Sequence, residues 1–256
     1  MGQQTAALLP DGTGGKEIYM RINVHAGHNP AGKVACGAVG LINESTENRR
    51  VKDEVISKLR QLGHTVYDCT VDNGTGQTDV LKKIIAKCNA HTVDLDVSIH
   101  FNSGSGDRDG NEKTTGVECY IYSSTSKAKA FAEKICQAIS NLGFKNRGVK
   151  ISQKLYVLKK SKAPALLVEC CFVDDKDDVQ LYSYEEMADA IVYGITGEHV
   201  QIVSETSKAE QGEETSTGDR KALYRVQVGA YTARYNAEAQ AEKLRKAGFD
   251  AAIVQA

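Results

Sequence analysis

The chain has no tryptophan, no Cys-x-x-Cys pair and no His-Glu-x-x-His run. It also lacks any apolar stretch near the roughly 20 residues needed to span a membrane. These absences exclude a zinc ribbon, a zincin helix and a membrane-spanning helix. Met1 to Lys16 is Gly-rich, with a short Ala-Ala-Leu-Leu patch and no basic start, unlike a secretory signal. Residues 1–19 are therefore expected to be a tag or leader extension outside the fold. No nucleic-acid motif is present, so neither nucleic acid nor membrane is an expected partner.

What is there reads as globular. Hydrophobic residues make up 41% and charged residues 25% of 256, enough for one sizeable domain plus a small appendage. Seven cysteines lie between Cys36 and Cys171, an odd number. They are expected to be reduced, buried small hydrophobes, which points to cytoplasmic synthesis. Cys170 and Cys171, if on a strand, must face opposite sides. The net charge of −1 is unevenly spread. Gln201 to Asp219 carries five acidic residues against Lys208 alone, whereas Arg220 to Ala256 has seven Lys/Arg against three Asp/Glu.

Taken in order, Ile18 to Val24 reads as a strand ending at His25-Ala26-Gly27-His28, and a Gly- and Ala-rich loop follows from Ala31 to Gly40. Val51, Val55, Leu59 and Leu62 recur at helical spacing over Ser45 to Leu62, with Gly63 placed for a left-handed cap. His64 to Cys69 favours a strand. Thr78 is placed to cap a helix bearing Val80, Leu81, Ile84, Ile85 and Cys88. Leu95 to His100 is a third strand. Residues 103–115 are so rich in Gly, Asp and Ser that an exposed, mobile excursion is expected. Gly116 to Tyr122 is a strand, followed by a helix through Phe131, Ile135 and Ile139. Leu155 to Leu158 and Ala165 to Glu169 read as two more strands. Ser183 with Glu186 forms a capping box for a last helix with Met187, Ala190, Ile191 and Ile195.

Strands alternating with helices predict an α/β three-layer sandwich with a mainly parallel, twisted central sheet. Functional residues collect at the carboxyl ends of such strands, where His28, His100 and Glu169 fall. Two imidazoles and a carboxylate suit a catalytic zinc, which takes three protein ligands and keeps one open position. His28, Glu44 and His100 are the candidate ligands, and Glu169 the candidate proton carrier. Residue types alone leave a plainer reading open. His100 and Glu169 would then be satisfied polar residues at strand ends, and Glu44 a favourable first-turn carboxylate.

Five stretches in order resemble the zinc-dependent N-acetylmuramoyl-L-alanine amidases of autolysins and phage endolysins. They are Gly27-His28, Asn43-Glu44-Ser45, Ser98-Ile99-His100-Phe101-Asn102, Asn146 to Lys150, and Pro164 to Glu169. The resemblance covers about residues 20–198. It implies zinc-dependent cleavage between N-acetylmuramic acid and the L-alanine of peptidoglycan. The family commonly has Asp where this chain has His25. That leaves His25 as a hydrogen-bonding partner of a ligand, a substrate contact or an alternative ligand. Asn102 is a candidate for positioning substrate or a ligand, and Arg147 for contacting a peptide carboxylate. The alternatives are a loop-start role for Asn102 and a solvated surface arginine for Arg147.

Residues 199–219 read as an acidic flexible linker. Beyond it, a strand (223–228), a helix capped by Asn236 with Ala237, Ala241 and Leu244 inward, and a strand (251–255) are expected. Arg225 to Tyr231 with Gly248-Phe249 resembles the start of a SPOR domain, which implies binding to glycan strands. Such domains normally have two strand–helix–strand halves, and residues 220–256 supply one. A unit this small can hardly bury a core alone, so pairing of two halves into a homodimer is expected. Truncation, or packing on the chain's own amidase, is the alternative. Action at the cell wall follows, by phage release at lysis in preference to secretion as an autolysin. The competing functions are a catalytically silent wall-binding protein and a zinc hydrolase of small amides.

Overall fold

Period-two alternation governs the sheet. In Leu95–Asn102, the residues Leu95, Val97, Ile99 and Phe101 are buried in one apolar cluster, while Asp96, Ser98, His100 and Asn102 take the other face. The computed structural model describes residues 19–200 and, in the C-terminal segment, residues 237, 241, 244–245 and 249–254. The chain divides into two units, 1–203 and 204–256.

Among the described residues six strands form one sheet: β1 (Arg21–Ala26), β2 (Thr65–Asp68), β3 (Leu95–Asn102), β4 (Val117–Ile121), β5 (Asn146–Ile151) and β6 (Ala165–Phe172). Their order is β2-β1-β3-β6-β4-β5, and all pairs are parallel except β4 with β6. Six helices accompany them: α1 (Glu44–Gln61), α2 (Gln77–Cys88), α3 (Lys129–Asn141), α4 (Tyr156–Lys160), α5 (Lys176–Leu181) and α6 (Tyr184–Thr196). Helices α1, α3 and α6 pack on one face of the sheet over the larger core, with Val55, Leu59, Ile135, Ile139 and Ile191 fully buried. Helices α2 and α4 cover part of the other face through Val80, Ile84, Val157 and Leu158. The α/β sandwich with a mainly parallel sheet is the architecture expected from the sequence.

The helix punctuation matches in most places. Asn43 caps α1 by accepting from the Thr46 N–H, Gly63 is left-handed at φ 85°, and Ser183 caps α6 by accepting from Glu186 N. Thr78 does not cap α2; it lies inside that helix, whose N-cap is Gly76, without a side-chain bond. β1 is displaced toward Ala26, so His25 is a strand residue.

Two expectations fail for identifiable reasons. Tyr156 to Leu158 belong to α4 and Leu155 is its N-cap, because Val157 and Leu158 point at the α2 cluster instead of joining the sheet. The strand is instead β5, an edge strand whose residues are half-buried or exposed, so its sequence lacks strong apolar alternation. Cys170 and Cys171 both lie in the larger core, contrary to strict alternation. His100 faces Glu169 but Asn102 faces Phe172, so β6 carries one extra residue, a bulge, at the two cysteines.

Residues 103–115 are largely exposed as expected, yet they are tied down. Asp174 accepts from the N–H groups of Gly104, Ser105 and Gly106, Asp177 from Asn111 and Lys113, Asp175 from Thr115, and Asp178 from Gly116 and Phe172. The acidic run after β6 therefore satisfies loop backbone that has no ladder partner. Asp175 also caps α5, accepting from Asp178 N at 2.9 Å.

In the C-terminal unit residues 237, 241, 244 and 245 are helical and Ala241 is buried. The Arg245 guanidinium donates to the Ala251 carbonyl at 2.8 Å. Residues 251–254 form no ladder with any described residue. The expected strand 223–228 and the Asn236 cap lie outside the described residues. Asp175→Ala removes a cap and the anchor of Thr115 together. It is expected to cost about 2–3 kcal/mol in urea unfolding; an unchanged midpoint contradicts the clamp.

Candidate functional site

Hydrogen-bond register builds the site. On the face of the sheet away from the larger core, Gly27 pairs with Ile99 through its N–H, His100 lies opposite Glu169, and Glu169 lies opposite Glu118. Paired residues on neighbouring strands point the same way. The result is a row across β3, β6 and β4 at one end of the sheet, with His100, Glu169 and Glu118 side by side.

Glu44 reaches this row from the first turn of α1. Its Oε1 lies 3.0 Å from His100 Nδ1 and 3.4 Å from His28 Nε2, and accepts from Phe101 N at 3.2 Å. Its Oε2 accepts from Ala38 N at 2.8 Å. Burial pushes the Glu44 carboxyl up, but the hydrogen bonds from His100 and His28 and their charges outweigh it, and its pKa falls far below the usual range. Two glycines make room. A Cβ on Gly27 would sit 1.9 Å from the His100 ring, and one on Gly37 would sit 2.3 Å from the Glu44 carboxylate.

His28 follows β1 in a left-handed conformation, φ 61°, which costs roughly 1–3 kcal/mol for a non-glycine residue. Helix α1 holds it there. Asn48 Nδ2 donates to the Gly27 carbonyl at 3.1 Å, and Arg49 Nη2 to the His28 carbonyl at 2.9 Å and Asp72 at 2.7 Å. Asn29 bonds both backbone groups of Gly74, fixing the 72–76 loop alongside.

Glu169 is half of a different balance. Its Oε2 is buried without a hydrogen-bond partner among the described residues. Burial, then the charges of Glu44 and Glu118, raise its pKa well above the carboxylate range. Glu118, by contrast, is buried yet saturated. Asn102 Nδ2 and the Tyr120 hydroxyl donate to Oε1 at 2.9 and 2.7 Å, while Arg147 Nε, at 2.6 Å, and Lys150 Nζ donate to Oε2. Burial raises the Glu118 pKa, but the Arg147 and Lys150 bonds prevail and bring it to about 2.

Of the candidates from sequence, His28, Glu44 and His100 offer ligand atoms within 4.8 Å of one another. Glu169 adjoins them, whereas Asn102 and Arg147 meet on Glu118. His25 stays apart. It is buried one step down β1 with Nδ1 3.4 Å from Ser98 Oγ, and burial followed by the His100 charge lowers its pKa to about 3, leaving a neutral imidazole. The donor set fits zinc: two imidazoles and a carboxylate whose 3.0 and 3.4 Å separations match the roughly 3.3 Å edge of a tetrahedron with ~2.0–2.1 Å bonds. The orphaned Glu169 oxygen beside them fits a site completed by water or substrate. A second acidic group joins Asp175 and Asp177 of the loop clamp to Asp107, whose Oδ1 accepts from Gly110 N at 3.1 Å.

Glu118, Asn48 and Arg49 are not among the candidates that the sequence offers. A signal existed for Glu118, the charged member of Val117-Glu118-Cys119-Tyr120-Ile121, an otherwise alternating buried strand. Asn48 and Arg49 look like ordinary helix-surface polar residues and carry none.

A family profile described as N-acetylmuramoyl-L-alanine amidase matches residues 22–197, and a SPOR domain profile matches 201–255. The SPOR match begins inside the stretch read from composition as a linker. An uncharacterized protein of Clostridium perfringens is 38% identical over 164 residues, covering 64% of this chain and 47% of its own length. The N-acetylmuramoyl-L-alanine amidase CwlM of Bacillus licheniformis is 28% identical over 183 residues, covering 70% of this chain and 63% of CwlM. Among solved structures, the catalytic domain of the CD27L endolysin targeting Clostridia Difficile superimposes with a TM-score of 0.63 at 28% identity. That match covers 72% of this chain and 100% of the domain. The chain spans about half the length of the Clostridium perfringens relatives it matches.

Because the folded pKa of Glu118 is depressed, its contribution to stability is present above the ordinary carboxylate pKa and is lost as pH falls toward about 2. Glu118→Gln is expected to cost about 2–3 kcal/mol at neutral pH, less than a fully buried pair because its cations reach water. The variant should also lose that part of the acid sensitivity. Denaturant titrations between pH 2 and 7 check this; parallel curves for both proteins contradict it.

Proposed function

The chain belongs to the N-acetylmuramoyl-L-alanine amidase family, and on that premise we propose that it hydrolyses the amide between N-acetylmuramic acid and the L-alanine of the stem peptide. Zinc is the proposed cofactor, held by His28, Glu44 and His100. The observation that carries the reading is that this set meets, through His100, a Glu169 whose buried Oε2 has no hydrogen-bond partner among the described residues.

When bound, zinc would supply Lewis acidity at the scissile carbonyl. The chain's own groups do the rest. Glu169 takes the proton of the attacking water on its free Oε2 and returns it to the departing amide nitrogen. Glu44 is itself held beside both imidazoles by the N–H groups of Ala38 and Phe101. Glu118 fixes Asn102 and Arg147 on the far side of Glu169. His25 buttresses the floor through Ser98 and is not assigned as a ligand.

Peptidoglycan is thus the proposed substrate and the cell wall the place of action, with lysis as the consequence, in the manner of an endolysin or autolysin. For the C-terminal unit we propose attachment to glycan strands, with the units of two chains pairing. Sedimentation of the chain with and without residues 220–256 tests this: a dimer that becomes a monomer supports pairing, and a monomer in both cases contradicts it.

Purified walls incubated with the zinc-loaded chain should lose turbidity and gain amino-terminal alanine without new reducing sugar. Chelation should stop the reaction and zinc should restore it. Glu169→Ala is expected to lower the rate by about 10²–10⁴-fold. Activity that survives both chelation and Glu169→Ala contradicts the mechanism.

A further inference from the structure

Beyond Glu169 the row continues into a charge arrangement that holding the scissile bond does not require. Glu118 is 2% exposed and its two oxygens receive four donors, so it has nothing left to offer a ligand. One carboxylate there faces two cations, which leaves a surplus positive charge. Those cations are open to the outside, Arg147 at 29% and Lys150 at 37% exposure.

Arg147 commits only Nε to Glu118; among the described residues its Nη groups make no hydrogen bond. Its guanidinium is steadied by the Phe172 ring 5.0 Å away, and the Lys150 ammonium lies 5.9 Å from the centre of the Tyr120 ring. A fork with a free edge beside an ammonium with free protons is a receptor for a carboxylate.

Register says which side of the substrate it reads. His100, Glu169, Glu118 and Arg147 follow one another across β3, β6, β4 and β5. Glu169, on the amidase reading, meets the departing nitrogen, so the groups beyond it lie along the released peptide. β5 is two strands from β6, roughly 10 Å, and long side chains on β5 reach back across part of that gap. Two residues of extended chain span about 7 Å.

We infer that Arg147 and Lys150, held together by Glu118, form an anion-binding shelf that takes a carboxylate of the stem peptide within two residues of the cleaved nitrogen. The inference rests on the amidase reading and adds substrate selectivity to it. The shelf favours stem peptides whose second residue keeps a free carboxylate over those in which it is a carboxamide.

The test uses the full zinc-loaded chain and muramoyl tripeptides that differ only at the second residue, carboxylate against carboxamide, with the carboxyl terminus amidated in both. A third substrate, with the carboxamide at the second residue and a free carboxyl terminus, separates the two sources of carboxylate. The wild type is expected to favour the second-residue carboxylate by about 10–100-fold in kcat/KM. Lys150→Met should bring that ratio toward one, and Lys150→Arg should keep it. Because it is a ratio, it does not depend on how much enzyme is folded. Equal cleavage of acid and amide by the wild type, a preference set only by the carboxyl terminus, or an unchanged ratio in Lys150→Met would each overturn the shelf. Unchanged selectivity with lowered stability is what cations serving only to neutralise Glu118 would give. Cleavage of none of the three by the wild type would overturn the amidase reading, and the shelf with it.

Discussion

The site depends on the burial of one carboxylate. Taking Glu44 out of water carries a desolvation cost of several kcal/mol, and the structure offsets it with two backbone N–H groups and two imidazoles. Each donor comes from a different piece of chain: Ala38 from the small-residue loop, Phe101 and His100 from β3, His28 from the turn after β1. Removing one would leave a buried charge short of partners. The arrangement therefore locks the start of α1 to the ends of two strands, and strain at His28 is tolerated because Asn48 and Arg49 grip the same turn.

The sheet divides its faces between stability and chemistry. On one side, Ile22, Val24, Val97, Ile99, Val168 and Cys119 are buried against α1, α3 and α6. On the other, β1, β3, β6 and β4 bring up His25, Ser98, His100, Glu169, Glu118 and Tyr120, where helices α2 and α4 leave the strand ends open. Two carboxylates adjacent on that face behave oppositely for a physical reason. Glu118 is met by two cations and held ionised, whereas Glu169 is met by none and is pushed toward its protonated form. Such a split between neighbours is what the proposed division of roles, Glu118 for structure and Glu169 for proton transfer, rests on.

Much of this was legible in the residues. The spacing of Val51, Val55 and Leu59, the alternation of β3 and the Ser183 cap are local signals that tertiary packing did not override. His28, Glu44 and His100 were legible as types at strand and helix ends, and their convergence follows from the parallel order β1-β3-β6. What was hidden is non-local. β5 is an edge strand with no apolar stripe. Val157 and Leu158 look the same in a strand or a buried helical turn until the α2 cluster is known. The loop 103–115 reads as free because the carboxylates that bind its backbone lie some 60–70 residues later, at Asp174 to Asp178. The pairing of Asn102 and Arg147 on Glu118 likewise needs the antiparallel β4–β6 register.

In the proposed site one zinc is held through His28, Glu44 and His100 while His25 stays a buried neutral neighbour. Metal analysis after equilibrium dialysis against zinc tests it directly. One equivalent is expected in the wild type and in His25→Ala, and none in His28→Ala. Retention of zinc by His28→Ala, with loss of it in His25→Ala, would contradict it.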